Sequence, residues 1–170
     1  MRLTREQARV AAQAMIDAAM ELVLVPPPDE AARVRRILAA EEALLAAGLT
    51  AVHDMGVDLE DLELFERLAE DGRLVLRSVV YLSGDDGIRP ELAAARSSAE
   101  ERQNAALAVV GVKLYADGAL GSRGAALLED YADQPGHRGL LLSSEERLAQ
   151  DLALCAAAGL QPAVHAIGDR

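Results

Sequence analysis

Ala46-Ala47-Gly48-Leu49-Thr50-Ala51-Val52 returns near the other end of the sequence as Ala157-Ala158-Gly159-Leu160-Gln161-Pro162-Ala163-Val164. In both copies an alanine-rich run stops at a glycine, the residue that most easily takes the left-handed conformation closing a helix. An apolar run suited to a strand follows at once. A helix, a stop glycine and an inward strand are therefore used twice, and the chain between them keeps the same alternation.

Outward from those junctions the pattern fills in. Thr4 and Gln7 form a capping box, and Arg5 to Val25 reads as a helix that Pro26, Pro27 and Pro28 end. Asp29 caps a second helix whose Val34, Ile37, Leu38, Glu41 and Leu45 fall near one face and which stops at Gly48. Leu49 to Asp54 is a short strand. Asp58 to Asp71 is a helix with an apolar face of Leu59, Leu62, Phe65, Leu68 and Ala69, and Gly72 stops it. Leu74 to Leu82 is the next strand, Ser83 to Arg89 a loop, Pro90 to Ala108 helical, and Val109 to Ala116 the third strand. A glycine-rich connection runs from Asp117 to Leu142, long enough to suggest a functional element such as a mobile lid. Ser143 and Glu146 make another capping box, the helix reaches Ala158, and Leu160 to Ile167 is the fourth strand.

Strands alternating with helices predict parallel strands joined by crossovers, hence an α/β fold. Four strands suit either a small doubly wound sheet or half of a (β/α)8 barrel. The last strand, Pro162-Ala163-Val164-His165-Ala166-Ile167, is apolar enough to be buried on both faces, yet no helix follows to cover it. A complete barrel needs about 250 residues. The expectation is a partial (β/α)8 TIM barrel: residues 1–48 a helical lead-in and residues 49–170 successive βα units, with the first and the later barrel strands absent.

Composition bounds the function. With 51% hydrophobic and 26% charged residues the chain is globular, and with 2% aromatics and no Trp its core must be aliphatic. A net charge of −11 leaves no basic stripe for nucleic acid. There is no signal-peptide core and no 18-residue apolar run, which points away from membranes and to a cytoplasmic protein. Cys155 stands alone in an apolar helical context and reads as a buried small hydrophobe.

The chemistry gathers at Val109 to Gly124, Val-Val-Gly-Val-Lys-Leu-Tyr-Ala-Asp-Gly-Ala-Leu-Gly-Ser-Arg-Gly. Of 17 basic residues, 16 are Arg and Lys113 is the one Lys. An amine that loses its proton can act as nucleophile, base or carbamate, whereas a guanidinium cannot. Three strands carry a valine followed by a nitrogen-bearing residue, Val52-His53, Val112-Lys113 and Val164-His165, and at the carboxyl ends of parallel strands these can converge on one rim. Three chemistries fit: a Schiff-base lysine of aldolase type, a metal-bridging carbamate with imidazoles completing the shell, or phosphate binding by Gly118 to Gly124. The glycine spacing matches neither the Walker motif nor the dinucleotide fingerprint, so a lid is the better reading of that segment.

Val112-Lys-Leu-Tyr-Ala-Asp-Gly-Ala-Leu-Gly-Ser-Arg-Gly124, its continuation to Gly139, and Val164-His-Ala-Ile-Gly-Asp-Arg170 resemble the YtcJ-like branch of the amidohydrolase superfamily, and Gly48-Leu-Thr-Ala-Val-His-Asp-Met-Gly56 is similar to its second-strand segment. The resemblance implies a metal-dependent hydrolase barrel acting on non-peptide C–N bonds of small amide-type substrates. It implies that Lys113 is the fourth-strand lysine, carboxylated in many relatives, and His165 the fifth-strand ligand, around one or two divalent ions, Zn first among them. Asp117, Ser122, Arg123, Asp169 and His53 are candidates for substrate or lid contacts, while His137 reads as a loop residue. The first-strand His-x-His pair, the later-strand histidine and the eighth-strand aspartate base have no counterpart here, so the general base is expected outside these residues and the 170 alone are expected to be inactive. The sheet edges are expected to be sticky, with homo-oligomers one outcome. A non-catalytic half-barrel association module is the alternative reading.

Overall fold

The computed structural model describes residues 28–84, 87–88, 90–95 and 105–170. The helix expected over Arg5 to Val25 lies outside these residues, as does the stretch 96–104 of the helix expected from Pro90; residues 90–95 are helical. The chain divides into two compact units, Met1–Arg33 and Val34–Arg170, and the second carries everything that follows apart from the first turn of one helix.

That helix, α1, spans Glu30–Ala46. The Asp29 carboxylate accepts from the N–H of Ala32 at 2.7 Å, and Gly48 takes a φ of 84° past its end. Strand β1 is Ala51–Val57, α2 is Leu59–Glu70, β2 is Arg77–Ser83, β3 is Leu107–Tyr115, α3 is Glu145–Ala157 and β4 is Gln161–His165. Asp58 caps α2 by accepting from Asp61 N–H at 2.7 Å, and Gly72 (φ 66°) and Gly159 (φ 66°) lie past the ends of α2 and α3.

The four strands pair in the order β1-β2-β3-β4, every pair parallel. A doubly wound sheet reverses its strand order at a switch point. Here the order follows the chain without reversal, which is consistent with part of a barrel.

One face of the sheet carries the helices. Val80, Leu82 and Val112 are fully buried there, packed in one cluster with Leu62, Leu68, Leu92, Cys155 and Leu160. The core is aliphatic, as the composition demands. Burial, with the nearby Asp151 charge, pushes the Cys155 thiol up, the state of an inert core cysteine.

Several details differ from expectation: β2 spans Arg77–Ser83 rather than Leu74 to Leu82, β4 ends at His165 rather than Ile167, and four more have a visible cause. Strand β1 runs past Asp54 to Val57 because a bulge between Met55 and Val57, with Gly56 at φ 104°, returns Val57 to the buried face beside Leu82. Strand β3 starts at Leu107, since Leu107 and Ala108 already pair with Ser78 and Val79. Leu64, left out of the predicted apolar face of α2, is 3% exposed. Ser144, not Ser143, caps α3 by accepting from Arg147 N–H at 3.2 Å; the Ser143 hydroxyl instead donates to the Tyr115 carbonyl at 2.8 Å.

Candidate functional site

Lys113 sits near the end of β3, paired with Ser83 on one side and Ala163 on the other, and His165 ends β4 opposite Tyr115. Paired residues of a parallel ladder share a face, and residues two apart on a strand do too. Lys113, Tyr115, Ala163 and His165 therefore form one patch on the face opposite buried Val112 and Leu114. The Lys113 Nζ lies 4.7 Å from the centre of the Tyr115 ring, and the Tyr115 and His165 rings are 5.6 Å apart. An ammonium and an imidazole thus flank one phenol. Tyr115 is the residue that sequence reasoning missed; the two-residue period from Lys113 was the signal that marks it.

His53 is not at that rim. It is the third residue of a seven-residue strand, opposite Val79, with its ring 6.2 Å from that of Tyr81. Val79 precedes Ser83, the neighbour of Lys113, by four residues of β2, a depth of roughly 13 Å at the rise of a strand. The equivalence of the three strand ends holds for Lys113 and His165 only.

Asp117 follows β3 and is 3% exposed. One carboxylate oxygen accepts from Ala126 N–H at 2.8 Å and Gly168 N–H at 2.7 Å, the other from Ile167 N–H at 3.0 Å. His165 Nε2 stands 3.9 Å from that second oxygen and 3.2 Å from the Gly118 carbonyl. Burial alone would push the Asp117 carboxyl up, but the Ile167, Ala126 and Gly168 amides, with His165 beside them, outweigh it and hold it below the usual carboxylate range. Asp169 does similar work at the surface, accepting from Leu128 N–H at 2.9 Å.

The connection from Asp117 to Leu142 is held by hydrogen bonds at several points. Its ends meet where Leu142 N–H donates to Ala116 O at 2.8 Å. The Ser122 hydroxyl donates to Ala119 O at 3.2 Å and closes a turn. Arg123, at φ 58°, donates from Nε and Nη2 to Asp133 at 3.1 and 2.8 Å, and its carbonyl meets His137 Nε2 at 2.7 Å. His137 is the loop residue it was expected to be. The glycines serve close approach: a Cβ on Gly118 would stand 2.9 Å from Gly124 backbone, and one on Gly139 or Gly168 would collide with the carbonyl of Ala125 or Ala126.

A cavity of about 390 Å³ opens at the same end of the sheet, lined by Leu114, Tyr115, Leu142, Ser143, Arg147 and Asp151 among others. Leu114 places it on the helix-packed side, and neither Lys113 nor His165 lines it.

The chain as a whole has counterparts among known proteins. A family model described as "Amidohydrolase family" matches residues 2–170. The chain belongs to that family. It is 30% identical to Protein LONG AFTER FAR-RED 3 of Arabidopsis thaliana over 171 residues, covering 92% of this chain and 28% of that one. It is 28% identical to YtcJ of Bacillus subtilis (strain 168) over 165 residues, covering 91% of this chain and 30% of that one. Among solved structures, an uncharacterized metal-dependent hydrolase of Pyrococcus furiosus superposes with a TM-score of 0.74 at 31% identity, over 91% of this chain and 32% of that one. A second, from Pyrococcus horikoshii OT3, gives 0.73 at 28% identity, over 90% and 31%. The chain thus spans under a third of the length of the relatives it matches.

For a member of this family the donor set matters. A carbamate oxygen on Lys113 and an imidazole nitrogen of His165 are donors that suit a divalent ion. Asp117 adds none, because its oxygens are taken by three amides. Among the described residues no three His, Cys, Asp or Glu side chains stand close enough to hold an ion. With a carbamate on Lys113, these residues would offer two donors where a zinc site uses about four, which fits one side of a metal shell and does not make a site alone. Among the same residues no helix is long and apolar enough to cross a membrane.

Proposed function

We propose that this chain is a sector of a metal-dependent hydrolase barrel that opens C–N bonds of small amide-type molecules, with Lys113 and His165 as two ligands of its divalent-metal centre. The observation that carries the proposal is the placement of Lys113 and His165 on one face of adjacent strands, two residues apart in register, at the carboxyl end where barrel enzymes place their chemistry. Membership of the Amidohydrolase family and likeness to two hydrolases described as metal-dependent support it. In this reading the 170 residues are the lead-in and four successive strand units, and the remaining ligands and the general base come from barrel strands beyond them. Zn is the ion of first choice, the cytoplasm the compartment.

A bound divalent ion supplies an activated water and polarises the scissile carbonyl. The chain's own part is to hold it. The Lys113 ammonium first loses a proton, and the neutral amine then adds carbon dioxide and releases a second, so that a cation becomes an anionic oxygen donor. Tyr115 lies against both the end of that side chain and the His165 ring. An arginine at 113 keeps the positive charge and cannot form the carbamate.

The test is made on the intact protein purified with zinc. Stoichiometric divalent metal is expected, and Lys113→Arg is expected to lose metal and at least about 10³-fold in kcat/KM, since metal activation is worth several kcal/mol and each 1.36 kcal/mol is tenfold. A metal-free wild type, or near-normal turnover by Lys113→Arg, removes the proposal.

A further inference from the structure

We propose that Asp117 is the positioning residue for His165: its carboxylate knots the backbone at 117–118, 125–126 and 166–168 together, and the knot presents the Gly118 carbonyl that fixes the imidazole. The inference rests on the metal-ligand role proposed for His165, and it assigns to Asp117 a task other than the substrate or lid contact first expected of it.

Three observations carry it. The Asp117 carboxylate receives N–H groups from both sides of the knot, Ala126 at 2.8 Å from the long connection and Ile167 and Gly168 at 3.0 and 2.7 Å from the segment leaving β4. The residues flanking His165 are held from the same side, because Ala116 N–H donates to the His165 carbonyl at 2.8 Å. The imidazole then meets the Gly118 carbonyl at 3.2 Å, one residue after Asp117. A carbonyl only accepts, so that contact requires a proton on Nε2 and leaves the lone pair of the neutral ring on Nδ1. An imidazole whose N–H is held by a fixed acceptor is oriented before any ligand arrives.

The backbone is built for this approach and tolerates little else. A Cβ at Gly118 would press on Gly124 at 2.9 Å, and one at Gly168 would collide with the Ala126 carbonyl. Three donors converge on two oxygens, which a carboxylate satisfies. An asparagine would turn its own NH2 toward one of those N–H groups and leave a donor buried without an acceptor.

The experiment uses the intact protein, labelled with ¹⁵N-histidine and stripped of divalent metal by chelation, so that failure of metal binding and failure of this inference give separate results. Two-bond ¹H–¹⁵N correlation spectra near pH 8 report the His165 tautomer, and hydrogen exchange reports the amides of Ala126, Ile167 and Gly168. Wild type is expected to show the Nε2–H tautomer alone, with all three amides protected. Asp117→Asn is expected to lower protection at the three amides together by at least about tenfold, the loss of a hydrogen bond to a charged acceptor, and to replace the single tautomer by a mixture. Asp169→Ala, which removes the acceptor, is expected to expose the Leu128 amide and leave the His165 signals where they were. If Asp117→Asn does not fold, Asp117→Glu, which keeps the charge and displaces the oxygens, takes its place with the same expectation. A wild-type Nδ1–H tautomer overturns the proposal, and so does an Asp117 variant in which the amides lose protection while His165 keeps its single tautomer, since Asp117 is then a loop tether only.

Discussion

Glu41 and Asp117 are both buried carboxylates that accept backbone N–H groups, and they stand at opposite ends of one sheet. Glu41, on α1, is 7% exposed and takes the amides of Val75 and Leu76 at 2.6 and 2.5 Å, just before β2 begins. Asp117, just after β3 ends, takes three amides and has His165 Nε2 at 3.9 Å. The same chemistry closes irregular backbone in both places. At the amino-terminal end only the fold depends on it; at the carboxyl-terminal end the backbone it closes is the backbone that carries a ligand candidate. In parallel barrels the first end is where sequence requirements express stability and the second where they express function.

The sharpest way to break that contrast is to remove each carboxylate and measure both stability and turnover. Glu41→Ala leaves two donors, one of them in buried Leu76, without an acceptor. At about 1–3 kcal/mol per unsatisfied group, partly relieved by water at Val75, urea unfolding is expected to show a loss of about 2–4 kcal/mol. Activity and metal content per folded molecule are expected to stay at wild-type levels. Asp117→Asn keeps the shape and one acceptor, so a smaller loss of about 1–3 kcal/mol is expected. It is also expected to lower metal affinity or kcat/KM by about 10–100-fold, the usual cost of disturbing a residue that orients a ligand. Equal effects on turnover from the two variants would erase the distinction between the two ends.

Acid sharpens the comparison further. The folded Asp117 carboxyl titrates below its ordinary 3.8 because the amide donors outweigh the burial that pushes it up. Below 3.8 the unfolded chain then binds more protons at this site than the folded one does, so stability rises with pH through that window. The contribution is complete above 3.8 and drains away as pH falls toward the folded value. Urea midpoints of wild type and Asp117→Asn are therefore expected to differ most above pH 4 and to converge below it. A constant difference across that range means that the charge is irrelevant to the knot.

Legibility from sequence followed the range of the forces involved. Periodicity, caps and stop glycines are local, and they placed α1, α2 and α3 and the four strands to within a few residues. The bulge at Gly56, which carries β1 past Asp54 and leaves His53 deep in the strand, depends on pairing with β2 and has no local signature. The site divides in the same way. The lone lysine was visible as a compositional oddity, and its place on a strand adjacent to that of His165 followed from the strand pattern, although the register sets Lys113 opposite Ala163 and His165 opposite Tyr115. The work of Asp117 was not visible, because its partners lie 9, 50 and 51 residues away. Glycines at 118 and 139 suggested a mobile lid for the same reason: a residue lacking Cβ permits either motion or contact, and only the folded neighbours decide which.

A third acid gives the smallest effect and the opposite sign. Asp54 lies on the helix-bearing face of β1, paired with Val80, in a groove of about 340 Å³ lined also by Ile37, Glu41, Asp61 and Phe65. Burial raises its pKa and the charge of Asp61 raises it further. The charged form is thus disfavoured in the fold, and the folded chain binds more protons than the unfolded one between 3.8 and the raised value. Stability falls as pH rises through that window, and at neutral pH the penalty is fully present. The residue is partly exposed, and solvent screens the effect. Asp54→Asn is expected to raise stability at pH 7 by no more than about 0.5 kcal/mol, the range of a surface substitution, and to do nothing at pH 3. Where Asp117→Asn loses stability above pH 4, Asp54→Asn gains it. If Asp54→Asn instead destabilises at pH 7, this carboxylate is holding backbone as Glu41 and Asp117 do, and the contrast between amide-satisfied and merely crowded acids in this sheet does not stand.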